Sequence, residues 1–307
     1  MIKAYTKGLR VTLTSGKMIT FLYLFVLLLA LIISIPFFIT LKNAINFSMS
    51  VYPLLHGFDY TSYEDFIRTS GKILKPFVPI GIWVSILYLI FSIFFSGGII
   101  DLIYNNKKFS LKEFLFACGD YFLSFLRLAL IVIPIQLLLV VIIYFPLVAI
   151  LVSMSDTAET EAGLFYTFVT GAAVHLVLSG FILVIADYAK ILMVANKSKK
   201  AFVSFWLAIK FFFVKIIKVI GLYVLLLIFP AVLIVAYLLF SESLFIHSKI
   251  TFLIVVLVQQ IFIWLRIFVK IWFLGSETFL ITNLLGIEEE VKQDEEWNIE
   301  ELSVDNG

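Results

Sequence analysis

Three observations predict an all-α, polytopic membrane fold with six transmembrane helices. The 307 residues are 62% hydrophobic and only 14% charged, with a mean hydropathy of +1.10; a soluble domain is about 45–50% apolar and about 25% charged. Apolar runs of about 18 residues or more recur along the whole chain, each long enough to cross a bilayer. Alternating ten-residue strands are absent, which argues against a β-barrel.

Each span can be placed in order. They run from about Met18 to Thr40, Phe77 to Ile100, Leu128 to Val152, Leu164 to Ala186, Val219 to Phe240 and Ile250 to Trp272. At about 1.5 Å per residue, each covers ~30 Å of hydrocarbon. The first run follows a charged start, Met1 to Arg10, but lacks a small-residue cleavage site, so it reads as a retained span and not a signal peptide. Between the first two spans lies the one long loop, Leu41 to Lys75, where Thr61 and Glu64 have capping-box spacing ahead of a short amphipathic segment.

Charge sets the orientation. With the amino terminus inside, 18 of the 23 lysines and arginines fall on the cytoplasmic side and 5 outside. This positive-inside bias places both termini in the cytoplasm of a bacterial inner or plasma membrane. Residues 286–307 form a separate acidic cytoplasmic tail: nine acids stand against Lys292 alone, while residues 1–285, the six-helix domain, carry a net +10. The tail is too polar to bury a core and reads as disordered, with Trp297 as its one large apolar group.

Basic stretches precede the odd spans. In Lys108–Arg127, the residues Lys108, Lys112, Glu113, Asp120, Ser124 and Arg127 share a helical arc of about 160°, opposite Leu111, Phe114, Phe122 and Phe125. In Lys197–Lys218 the lysines share a similar arc, opposite Phe202, Phe205, Trp206, Ile209, Phe212, Phe213 and Ile216. Lys3, Lys7, Arg10 and Lys17 make a third, weaker copy. The expectation is a threefold quasi-repeat of amphipathic cytoplasmic elbow helix, outward span and inward span. Each inward span closes on small residues and one acid: Gly97, Gly98 and Asp101; Ala186 and Asp187; Gly275, Ser276 and Glu277. These acids are either solvated or pair with elbow cations and pin the elbows to the spans.

Polar groups at mid-depth are costly and informative. Gln136, His175, Gln259 and Gln260 fall there, and Thr170, Gly171, Ser179 and Gly180 flank His175. They could glue helices together or hold a transported substrate. Lys199, Lys200, Lys210, Lys218, Arg266 and Lys270 are candidates for anionic lipid; for Arg266 and Lys270 snorkelling is the plainer reading. No zincin, serine-hydrolase or phosphate-loop motif occurs, and no paired intramembrane aspartates. The single cysteine, Cys118, and the isolated His56 and His247 give no metal site. No cofactor, no nucleic acid and no enzymatic activity is expected.

The Gly97-Gly98-x-x-Asp101 turn, the Phe109–Phe114 run FSLKEF, and the Ala186–Phe202 segment with ADYAK and KKAF resemble six-span bacterial membrane proteins. They are similar in particular to the membrane domain fused to some glycerophosphodiester phosphodiesterases. The resemblance implies the fold and the membrane location. It implies no phosphodiesterase activity, because that domain is absent from this sequence. The resulting expectation is a non-enzymatic accessory or scaffold that binds lipid, or a partner protein through the tail; the alternative is a small transporter or lipid-translocating permease.

Overall fold

The computed structural model describes residues 1–45, 59–155, 161–243 and 249–286. His56, His247 and the acidic tail beyond Gly286 lie outside the described residues. Nine α-helices and no strands are found among those described. They are α1 (Ile2–Thr14), α2 (Gly16–Ile45), α3 (Tyr60–Leu74), α4 (Phe77–Tyr104), α5 (Leu111–Ser155), α6 (Glu161–Ala195), α7 (Ala201–Val214), α8 (Ile216–Ser243) and α9 (Lys249–Leu285). Six of them, α2, α4, α5, α6, α8 and α9, are long and apolar enough to cross a membrane. The chain is an all-α integral membrane protein.

The inward helices run well past their expected ends. The sequence places a turn at Gly97-Gly98-x-x-Asp101, yet α4 continues to Tyr104. Likewise α6 reaches Ala195 and α9 reaches Leu285. The closures explain why. At the end of α4, the Lys107 amide donates to the Leu102 carbonyl and the Asn106 amide to Ile103, with Asn106 at φ +49°. At the end of α6, Ser198 donates to Met193 and Lys197 to Val194, with Lys197 at φ +46°. Both are Schellman-type caps, in which a left-handed residue lets the chain satisfy its last carbonyls. Gly286, at φ +70°, follows α9. Apolar composition falls off before hydrogen bonding does, so hydropathy alone ends these helices early.

The outward helices differ from one another. Two short helices precede spans across single-residue breaks: α1 before α2 at Ser15, and α7 before α8 at Lys215. The Lys108–Arg127 segment is not a helix of its own; from Leu111 it forms the first turns of the 45-residue α5. Thr14-Ser15-Gly16 is rich in weak helix formers, whereas Leu126–Leu130 is made only of strong ones, so α5 has no reason to stop. The break at Lys215 has no such local cause.

The cap of α3 also departs from expectation. Asp59, and not Thr61, is the N-cap: its carboxylate accepts from the Ser62 amide (3.1 Å) and hydroxyl (2.5 Å). A charged acceptor at the positive end of the helix outcompetes a threonine hydroxyl. The Ser62 hydroxyl, then its amide, hold the Asp59 carboxyl below its usual 3.8.

The described residues fall into two compact units. The first comprises residues 1–9, 93–222 and those from 274 onward. Its core is made by the C-terminal parts of α4, α6 and α9, where Phe95–Ile100, Ile191–Val194 and Leu274–Thr278 are buried almost completely. Phe114 and Cys118 of α5 lie against Gly98, where an added Cβ would stand 2.6 Å from the Cys118 sulfur. Tyr188 of α6 meets Phe211 of α7 with rings 5.1 Å apart. Gly8 of α1 sits on the backbone of Ser276.

The second unit comprises residues 10–92 and 223–273. Aromatic pairs join its helices: Phe25 with Phe91 (α2–α4, 4.6 Å), Phe229 with Trp272 and Tyr237 with Phe262 (both α8–α9).

Candidate functional site

Three kinds of polar group were expected to carry function, and each can now be located. The acids come first. Asp101 accepts from Asn105 (2.8 Å) and pairs with Lys107 (3.3 Å), with its side chain only 14% exposed. Asp187 pairs with Lys190 at 2.7 Å within α6. Glu277 is 1% exposed, and Lys7 of α1 lies over the ring of Phe279, two residues further along α9, at 5.4 Å. None of the three acids ends its helix; each sits in the part that forms the core. The pairing cations of Asp101 and Asp187 are close in sequence and are not on a following short helix. A cross-element pair does exist between residues not singled out together from the sequence: Lys199 to Asp120 of α5, at 2.6 Å. Both side chains are largely exposed, 62% and 42%, so the pair is worth little energetically.

Other buried hydroxyl groups occur in the same core as Glu277. Ser276 and Tyr188 are fully buried, and their oxygens make no hydrogen bond to the described residues. The Glu277 and Asp187 carboxylates lie within electrostatic range of the Tyr188 hydroxyl. Thr278 and Thr282 return their hydroxyls to the backbone of α9. Sequence reading missed Tyr188 because, between Asp187 and Lys190 just past the expected end of the fourth span, it reads as a boundary residue.

The mid-depth groups are joined pairwise. Gln136 of α5 donates to the Ser179 carbonyl (3.2 Å) and accepts from its hydroxyl (2.9 Å), in the first unit. Gln260 accepts from Tyr23 at 2.9 Å, tying α2 to α9 in the second unit. His175 packs at 5.4 Å against the Tyr144 ring, and its Nδ1 is enclosed without a hydrogen bond among the described residues. Gln259 is exposed. Along α5 and α6, the seam continues through Leu147 on Gly171 and Thr167 on Met154 to an open apolar groove of roughly 480 Å³, lined by Val148, Leu151, Phe165 and Phe168 among others. Among the described residues, no three His, Cys, Asp or Glu side chains gather as a metal site would need.

The cationic candidates are distributed over both units. Lys199, Lys200, Lys210 and Lys218 are exposed around α7. Here the structure refines the two-faced reading. Phe205, Phe211 and Phe212 are buried, yet Phe202, Trp206 and Phe213 are exposed, so α7 buries one apolar face and leaves a second apolar edge outside. The Lys210 ammonium lies 5.9 Å from the Trp206 ring. Arg266 and Lys270 are exposed on α9, and Lys270 donates to Ser92 of α4 at 2.9 Å.

Comparison with protein-family models, with curated proteins and with solved structures returns no match.

Proposed function

We propose that this protein is a non-enzymatic membrane scaffold that engages anionic lipid through α7 and its flanking lysines. The observation carrying this reading is the second apolar edge of α7: exposed Phe202, Val203, Trp206 and Phe213 beside exposed Lys200 and Lys210. An apolar edge rimmed with lysine suits the headgroup boundary of a bilayer, with aromatic rings at the acyl level and ammonium groups on phosphate. The positive-inside bias puts this helix and both termini on the cytoplasmic side of the membrane. The resemblance of the Gly97–Phe114 and Ala186–Phe202 segments to six-span bacterial membrane proteins bears on the fold and the membrane location of this helix. The mid-depth amides favour a scaffold over a permease, because Gln136 and Gln260 are each bonded to a neighbouring helix.

The test is vesicle binding. Changing Lys199, Lys200 and Lys210 to Gln removes three cations, each worth about 1 kcal/mol near an anionic surface. Binding of acidic lipid by the full chain should fall and become less sensitive to salt. Unchanged binding at both low and high salt would remove α7 from the account. Reconstituted protein that moves a labelled lipid or solute, and loses this on Gln136→Ala or His175→Ala, would instead establish the permease.

A further inference from the structure

We propose that the acidic C-terminal segment of this chain docks on the lysine-rimmed aromatic edge of α7 and gives way there to anionic lipid. The displacement by lipid rests on the α7 reading above; the docking does not. The two patterns are complementary. Between Asp187 and Glu242 the sequence has seven lysines and no acid. Lys190 and Lys199 pair with Asp187 and Asp120, and Lys199, Lys200, Lys210 and Lys218 are exposed. Beside them stand Phe202, Trp206 and Phe213, which are 71%, 53% and 64% exposed. In the C-terminal segment, Glu295, Glu296, Glu300 and Glu301 are interleaved with Trp297, Ile299 and Leu302. Its carboxylates can meet the ammonium groups while its apolar side chains cover the aromatic edge.

Over the whole chain, nine of the 21 acids lie in residues 288–305. On the side expected to be cytoplasmic there are five others, Asp101, Glu113, Asp120, Asp187 and Glu277, with 18 cations. The segment is therefore the largest acidic element on that side. Its neighbours favour α7 over the other basic stretches. The start of α5 exposes Phe116 beside exposed Glu113 and Asp120, which repel a carboxylate-rich segment. α1 exposes Ile2 and Leu13, aliphatic groups that offer an indole no ring to pack on. Reach is sufficient within the first unit, which holds α7 and the end of α9. Gly8 of α1 sits on Ser276 of α9, and the Met1 sulfur lies 2.6 Å from where a Cβ on Gly221 of α8 would stand. α1 thus bridges α9 to the start of α8, just after Lys218. Met1 to Gly8 and Ser276 to Gly286 together make about 25 Å of helix. Gly286 to Leu302 extends to about 55 Å.

The experiment is thiol cross-linking of the full chain in nonionic detergent with a short bis-maleimide. Asn298→Cys, which keeps Trp297, is paired in turn with Val203→Cys on α7, Phe116→Cys on α5 and Ile2→Cys on α1. The α7 pair should link within one chain at least about fivefold faster than the other two. Changing Glu295, Glu296, Glu300 and Glu301 to Gln should slow it about tenfold at low salt. Trp297→Ala should slow it about fivefold, and 1 M salt should slow the parent pair as well. Phosphatidylglycerol should suppress the link, and phosphatidylcholine at the same concentration should not. Equal rates for all three pairs would overturn the docking, and so would a rate indifferent to both sets of tail substitutions. A link formed only between chains would reassign the edge to an interface between copies. A link that phosphatidylglycerol leaves intact would overturn the displacement. Failure of the α7 lipid reading shows separately, as vesicle binding unchanged when Lys199, Lys200 and Lys210 become Gln, and the lipid-free link still decides the docking.

Discussion

At the scale of single residues, close approach decides more than polarity does. Gly8 lies so near α9 that an added Cβ would stand 2.6 Å from the Ser276 amide nitrogen and 2.8 Å from its Cα. Backbone cannot rotate away as a side chain can, so Gly8→Ala must push α1 off α9. Overpacking of this kind costs about 1–3 kcal/mol. Thermal unfolding in detergent should show a clear loss for Gly8→Ala and none for Gly16→Ala, where no atom lies within 4 Å. Equal midpoints for the two variants would mean that α1 does not depend on this contact. A second residue-scale prediction concerns Asp59. Folding holds its carboxyl below the free value of 3.8 through the Ser62 hydroxyl and amide. The ionised form therefore favours α3. Its contribution is complete above the unfolded value and disappears as pH falls through the lower folded value. Hydrogen exchange at the Ser62 amide, taken relative to Ile67, should accelerate when pH drops from about 5 to about 3. A constant ratio would show that the cap does not hold the first turn.

At the scale of elements, α5 and α6 are joined by a reciprocal bond at mid-depth. In hydrocarbon an amide has no water to fall back on, yet such bonds average only about 0.6 kcal/mol because the unfolded helices also find partners. A double-mutant cycle with Gln136→Leu and Ser179→Ala should return a coupling near that value. A coupling close to zero would leave the seam to packing alone, with Leu147 on Gly171 as its main contact. The same scale shows why the basic stretches behave differently. Thr14-Ser15-Gly16 permits a break and yields a separate α1, while the uninterrupted Leu126–Leu130 run carries α5 straight through.

For the molecule as a whole, orientation is the property most open to test. Cys118 is the sole cysteine and is fully buried, so introduced cysteines can be labelled against a silent background. Cysteines at Thr61 and Ser241 should react from outside, and those at Lys107, Lys199 and Ser303 only after the membrane is opened. Reaction of Lys199→Cys from the outer face would invert the scheme. The acidic segment after Gly286 carries nine acids on the side expected to hold 18 cations. Truncation after Gly286 should raise affinity for anionic vesicles at low salt, where the ~8 Å screening length of physiological salt is extended. Trp297→Ala should do so in part. Affinity that stays the same at low and high salt would leave the tail free to serve a protein partner.

The sequence by itself determined the class of fold, the number of spans and the charge asymmetry. Those follow from local quantities: the length of an apolar run against the thickness of hydrocarbon, and the cost of carrying lysine across it. It also marked Asp101, Asp187 and Glu277 as a set, because each follows small residues at the end of an apolar run. Only the tertiary structure decided what those acids and amides touch. Hydropathy ends α4, α6 and α9 where their apolar runs end, but the helices continue, with protein packed around their last turns. Glu277 is therefore buried and not at a boundary. Lys199 meets Asp120 across 79 positions of sequence, Tyr23 finds Gln260 across 237, and Lys270 reaches Ser92 across 178. No periodicity encodes such separations, because they depend on which helices pack together. That choice is made by small residues such as Gly8, Gly98 and Gly171, whose role shows only when the neighbouring atoms are in place.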